Sequence, residues 1–206
     1  MIDGHFKSYI DIFWNSLAKG LVRLGVSANT VTVCGLIFML IVCAIYPLWA
    51  EPAALSVVIL LIFAFDSLDG AVARVSNTCS SFGGYMDAIV DRYQEIAVYA
   101  TLAYTHDVWP AAFFVTTASL MVSYTKARTA VEKQINNDKW PDLMERLERV
   151  VALCFGLFLT LFIELPQFWP LSYINTLLLL IGSLTYLTAI QRFFRARRLL
   201  EDSNYD

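Results

Sequence analysis

Apolar residues run unbroken by charge from Leu24 to Ala50 and again from Leu165 to Gln191. A helix crosses the hydrocarbon layer of a bilayer with about 20 residues, so each run predicts a spanning helix. Val108 to Thr125 is a third uncharged stretch, while Glu51–Ala73, Ser80–Tyr104 and Arg149–Ile163 are apolar with interruptions. Together they predict six transmembrane helices, at about 30–49, 52–75, 80–104, 108–134, 143–163 and 169–197. Pro52, Pro110, Pro141, Pro166 and Pro170 fall at helix starts or in turns, where the missing N–H removes no helix bond. Ahead of the spans, Phe6, Ile10, Phe13, Trp14, Leu17, Leu21 and Leu24 recur at three- and four-residue steps. That spacing predicts an amphipathic interfacial helix over 2–24. The same face suits an arm packed on the ends of the bundle, and the pattern leaves both open.

Composition agrees with a membrane solvent. Of 206 residues, 58% are hydrophobic and 16% charged, against about 25% charged in soluble domains. This excludes a disordered or nucleic-acid-binding chain and predicts one all-α integral membrane domain over 1–206. No cleavable signal segment is expected, because Asp3, His5, Lys7 and Asp11 break up the first residues. Cys34, Cys43, Cys79 and Cys154 show neither metal spacing nor a disulfide framework. His5 and His106 look isolated. Six spans with both termini in the cytoplasm place all 15 Lys and Arg on that side, with Arg92 deep in the third span. The opposite loops carry Glu51, Asp107 and Glu164 and no base, the asymmetry of the positive-inside rule. The tryptophans at 14, 49, 109, 140 and 169 fall mostly near the expected membrane edges.

Charge inside the membrane carries the chemistry. Asp66, Asp69, Asp87 and Asp91 lie in the second and third spans, where an isolated charge costs at least about 2.5 kcal/mol. Asp66, Asp69, Gly70 and Ala73 share one helix face, and Gly83, Asp87 and Asp91 share another. Two facing acidic stripes beside Arg74 and Arg92 suit hard divalent cations such as Mg²⁺ or Mn²⁺. The small residues Gly70, Ala73, Gly83 and Gly84 leave room for a ligand beside them. Pairing with bases from other helices, with a purely structural role, is the competing reading. A divalent cation channel or transporter would also bury acids, but no internal repeat is evident.

The run Asp66–Asp91 reads DSLDGAVARVSNTCSSFGGYMDAIVD. It matches DxxDGxxAR, eight residues, GxxxDxxxD, and so resembles the CDP-alcohol phosphotransferase family. The resemblance implies a transfer of a phosphatidyl group from a CDP-linked lipid such as CDP-diacylglycerol to a hydroxyl, with release of CMP. It also implies two divalent ions held by Asp66, Asp69, Asp87 and Asp91, with Asp91 as general base. Asp66, Asp69, Gly70, Ala73, Arg74 and Gly83 would then form the CDP pocket. The resemblance suggests a homodimer, and the placement of the bases puts the active site at the cytoplasmic face of the cytoplasmic membrane.

A second cluster, Ser123, Lys126, Arg128, Arg146, Arg149 and Arg192, collects at the cytoplasmic ends of the last three spans. Arg and Lys in this number suit an acceptor that already carries a phosphate, set against ordinary positive-inside charge. SYTKAR at 123–128, ERLER at 145–149 and QR at 191–192 resemble the prokaryotic synthases that accept inositol 1-phosphate. Leu147 stands where those enzymes often have proline. Glycerol 3-phosphate is the alternative acceptor, although no GKxKT-like run is present.

Overall fold

The computed structural model of the chain describes residues 14–133, 142–163, 165 and 169–201, and no strand occurs among them. Helix α1 covers 14–23 of the described residues. It is followed by α2 (Ala28–Ile45), a 3-10 turn (Tyr46–Leu48), α3 (Pro52–Ser76), α4 (Ser81–His106), α5 (Trp109–Glu132), α6 (Arg146–Leu159) and α7 (Tyr173–Glu201). Each expected span finds a helix at its place. The fifth is the shortest, because the 14 residues of α6 rise only about 21 Å. Beyond it the chain tightens into turns, Thr160 N donating to Leu157 O and Leu161 N to Phe158 O.

Three described segments are long and apolar enough to cross a bilayer: Ala28–Leu48, Pro52–Ser76 and Tyr173–Glu201. Burial is inverted relative to a water-soluble protein. Leu61, Phe113, Phe155 and Leu180 are exposed, while Asp66, Asp91, Gln94, Arg149 and Arg192 are buried. Apolar surface that would drive aggregation in water is satisfied by lipid, and ionisable groups turn inward. The chain is an integral membrane protein.

The fold divides into two compact units, 1–45 with 58–98 and 46–57 with 99–206. In the first, Ala18 of α1 joins Val31, Leu68, Ala71 and Val72 in one buried cluster, with Trp14, Leu21 and Val22 packed against it. Part of the apolar face of α1 is therefore packed on its own unit, while Leu17 and Leu24 are exposed. Phe6, Ile10 and Phe13 lie outside the described residues.

In the second unit α7 packs against both α5 and α6. Glycines set that approach. A Cβ at Gly182 would stand 2.6 Å from Phe114 and 3.3 Å from the Val115 backbone, and one at Gly156 would stand 2.3 Å from Leu177. Small residues let helix backbones meet where no hydrophobic drive from water exists. The Thr117 hydroxyl lies 2.9 Å from the Tyr186 hydroxyl, and Tyr173 donates to Gly156 O at 3.0 Å. His106, which looks isolated in the sequence, has a partner: its Nε2 is 2.7 Å from the hydroxyl of the fully buried Tyr46.

Candidate active site

Two caps aim the acidic helices. At the end of α3 the backbone reverses through Asn77, whose φ of 55° is left-handed. Thr78 N donates to Ala73 O at 3.0 Å and Asn77 N to Arg74 O at 3.3 Å, closing the last carbonyls of α3. Asparagine tolerates this conformation better than most residues. Three residues on, Ser80 Oγ accepts from Gly83 N at 3.0 Å and caps the start of α4. The link of 77–80 thus turns the chain back so that acids on consecutive helices meet.

Asp66, Asp87 and Asp91 each offer one oxygen, and these atoms all lie within 4.8 Å of one another. Three carboxylates at this separation repel in a low dielectric, and a hard divalent cation matches the oxygen donor set. The residues therefore fit the metal expected from the sequence. Asp69 stands outside this trio and accepts from the Thr32 hydroxyl at 2.6 Å. Arg92 lies 3.8 Å from Asp91 and 3.2 Å from Glu95, which gives Glu95 a partner.

Beside the trio opens a pocket lined by Asp69, Gly70, Ala73, Gly83, Gly84 and Asp87, together with Asn29, Thr32, Thr78 and Ser80. Most of the residues expected to face CDP are thus gathered at one cavity. Asn29 and Thr32 were not singled out from the sequence, although they are polar groups at the entry of an otherwise apolar helix. Gly35 and Gln94 were missed as well. Gln94 is buried and its Nε2 reaches Asp66 Oδ1 at 3.5 Å, while a Cβ at Gly35 would stand 3.1 Å from that oxygen. The signal for Gln94 is its place seven residues after Asp87, on the same stripe.

The six basic-cluster residues are treated unequally in the second unit. Arg192 is buried and makes four hydrogen bonds: Nε and Nη2 to Asp142 Oδ2 at 2.9 and 2.5 Å, Nη1 to Val122 O at 2.5 Å, and Nη2 to Glu145 Oε1 at 3.1 Å. Glu145 also lies 4.0 Å from Lys126 Nζ. Ser123 donates to Ser119 O at 3.2 Å, and Arg146 opens α6. Arg149 is wholly buried and donates to Met144 O at 2.8 Å. Arg128 pairs with Glu132 at an exposed face and lines a different groove with Met121 and Phe193. The structure therefore links Lys126 and Arg192 through Glu145.

Residues 25–190 match the family of CDP-alcohol phosphatidyltransferases. The archaetidylinositol phosphate synthase of Pyrococcus horikoshii is 29% identical over 187 residues, covering 90% of this chain and 91% of that protein. The crystal structure of Mycobacterium tuberculosis phosphatidylinositol phosphate synthase with CDP-DAG bound superposes with a TM-score of 0.75 at 26% identity, over 89% of this chain and 92% of that one. Its crystal structure with manganese and citrate gives 0.75 at 25% identity, over 89% and 88%. These matches take the place of the channel and transporter alternative. With the aspartate signature gathered as described, the chain belongs to the CDP-alcohol phosphatidyltransferase family.

Proposed function

We propose that the protein transfers the phosphatidyl group of CDP-diacylglycerol, or of its ether-linked counterpart, to the hydroxyl of inositol 1-phosphate and releases CMP. The carboxylate trio of Asp66, Asp87 and Asp91 carries this reading, because it supplies a hard cation site beside a pocket gathered around the CDP signature. Asp66, Asp69, Gly70, Ala73, Arg74 and Gly83 bind the cytidine diphosphate, and Asp66, Asp69, Asp87 and Asp91 would hold two ions, Mg²⁺ or Mn²⁺. Bound there, divalent ions supply charge neutralisation for the diphosphate and for the departing CMP oxygen.

Asp91 accepts the proton of the acceptor hydroxyl as that oxygen bonds to the lipid-bearing phosphorus and the bond to the CMP oxygen breaks. Ser123, Lys126, Arg128, Arg146, Arg149 and Arg192 form the basic cluster for the acceptor phosphate, with Lys126 and Arg192 at its centre. The names of the relatives, which specify inositol phosphate products, support this acceptor. Six spans with both termini in the cytoplasm follow from the placement of the bases, and put this chemistry at the cytoplasmic face of the cytoplasmic membrane. The protein acts as a homodimer.

The test is CMP release by purified protein with Mg²⁺ or Mn²⁺ and CDP-diacylglycerol, across inositol 1-phosphate, free inositol and glycerol 3-phosphate. Inositol 1-phosphate is expected to give the highest kcat/KM. Faster release with glycerol 3-phosphate moves the acceptor assignment, and no release with any alcohol overturns the function.

A further inference from the structure

Glu145 stands at the N-cap of α6, where a carboxylate ordinarily accepts from the first free N–H groups, yet it makes no capping hydrogen bond. Its side chain turns to the basic cluster instead, with Oε1 3.1 Å from Arg192 Nη2 and 4.0 Å from Lys126 Nζ. The two carboxylates around Arg192 differ in kind. The side chain of Asp142 is fully buried, and it takes two hydrogen bonds from Arg192 and one from Arg195 Nη1 at 3.1 Å. The side chain of Glu145 is 46% exposed and holds Arg192 by a single hydrogen bond. Asp142 is therefore a fixed counter-ion that sets the guanidinium plane, and Glu145 is a counter-ion free to swing into water.

We infer that Glu145 is a specificity-determining placeholder: its carboxylate sits in the anion seat between Lys126 and Arg192, and a phosphate monoester must displace it to bind. This rests on the acceptor-phosphate reading above and adds a selection rule to it. A tethered carboxylate competes at an effective concentration in the millimolar range. A phosphate dianion offers more charge and more acceptor oxygens to the same two cations and displaces it. A neutral polyol offers neither, so it leaves Glu145 in place.

Titrating inorganic phosphate into the purified full-length protein by calorimetry tests this without requiring turnover. Glu145→Gln is expected to tighten phosphate binding about two- to five-fold, the range of a half-exposed ion pair. Glu145→Ala is expected to move it the same way, and KM for inositol 1-phosphate in CMP release is expected to fall by the same factor. Asp142→Asn is expected to weaken phosphate binding, because Arg192 loses the partner that orients it. Phosphate binding unchanged or weakened in both Glu145 variants, with a wild-type unfolding midpoint, overturns the inference. Absence of phosphate binding in wild type and variants alike also overturns it. Tightened phosphate binding in a protein that releases no CMP sinks the proposed function and leaves the anion seat standing.

Discussion

Replacing Asp66 by asparagine separates the stability of the acidic site from its affinity for metal. Oxygens of Asp66, Asp87 and Asp91 lie within 4.8 Å of one another. At an effective dielectric of about 20, each pair of charges then repels by at least about 3.5 kcal/mol. Asp66→Asn removes two of the three pairings and keeps an amide oxygen for the Gln94 contact. Arg92, 3.8 Å from Asp91, and nearby water offset much of the repulsion, which leaves a net gain of about 1–3 kcal/mol in metal-free protein. Thermal unfolding of the detergent-solubilised protein in a chelator is expected to show a midpoint raised by roughly 2–4 °C per kcal/mol. Mn²⁺ at a hundred times its Kd stabilises the wild type by about 2.7 kcal/mol and raises its midpoint by roughly 5–10 °C. The variant is expected to lose most of that rise. A variant less stable than wild type in chelator, yet equally stabilised by Mn²⁺, would refute the view that these three acids share a cation.

Asp91→Asn is expected to lower CMP release by about 10²–10⁴-fold, the usual contribution of a general base, while CDP-lipid still binds. Full activity in that variant would remove Asp91 from the role. Gly182→Ala is expected to cost about 1–3 kcal/mol through overpacking of α7 on α5, read as a lowered unfolding midpoint, because its Cβ meets both a Phe114 ring and Val115 backbone. Burial lowers the pKa of His106, which lies beyond the span 80–104, from its ordinary 6.5. The folded protein therefore favours the neutral imidazole. Stability is full above about pH 6.5 and declines as pH falls below it, where the unfolded chain takes up a proton first. A pH series of unfolding midpoints, flattened in this window by His106→Gln, checks the assignment.

Much of the site was legible because helical spacing converts directly into a shared face. Asp66, Asp69, Gly70 and Ala73 had to line up on α3, and Gly83, Asp87 and Asp91 on α4, once both stretches were helical. The turn chemistry between them, Asn77 and Ser80, is also local. Gly35 was not legible in this way, and for Gln94 the spacing gave its face on α4 but not its contact with Asp66. A glycine among apolar residues and a glutamine on a polar stripe acquire meaning only when another helix passes Asp66 within 3–4 Å. Likewise, six basic residues at neighbouring helix ends carry no statement about which are satisfied internally. Arg149 and Arg192 are each buried against acceptors that a charge pattern does not reveal.

By itself the sequence determined the helices, their apolar surfaces and the two acidic faces, because hydrophobic runs and a period of 3.6 residues act over short distances along one chain. Only the tertiary structure decided that oxygens of three aspartates converge while the fourth accepts a hydrogen bond from Thr32, that Tyr46 is a partner of His106, and that Glu145 joins Lys126 to Arg192. Those outcomes depend on side chains far apart in the sequence, whose pairing is fixed by how closely helix backbones approach and by the cost of leaving a buried charge unmatched.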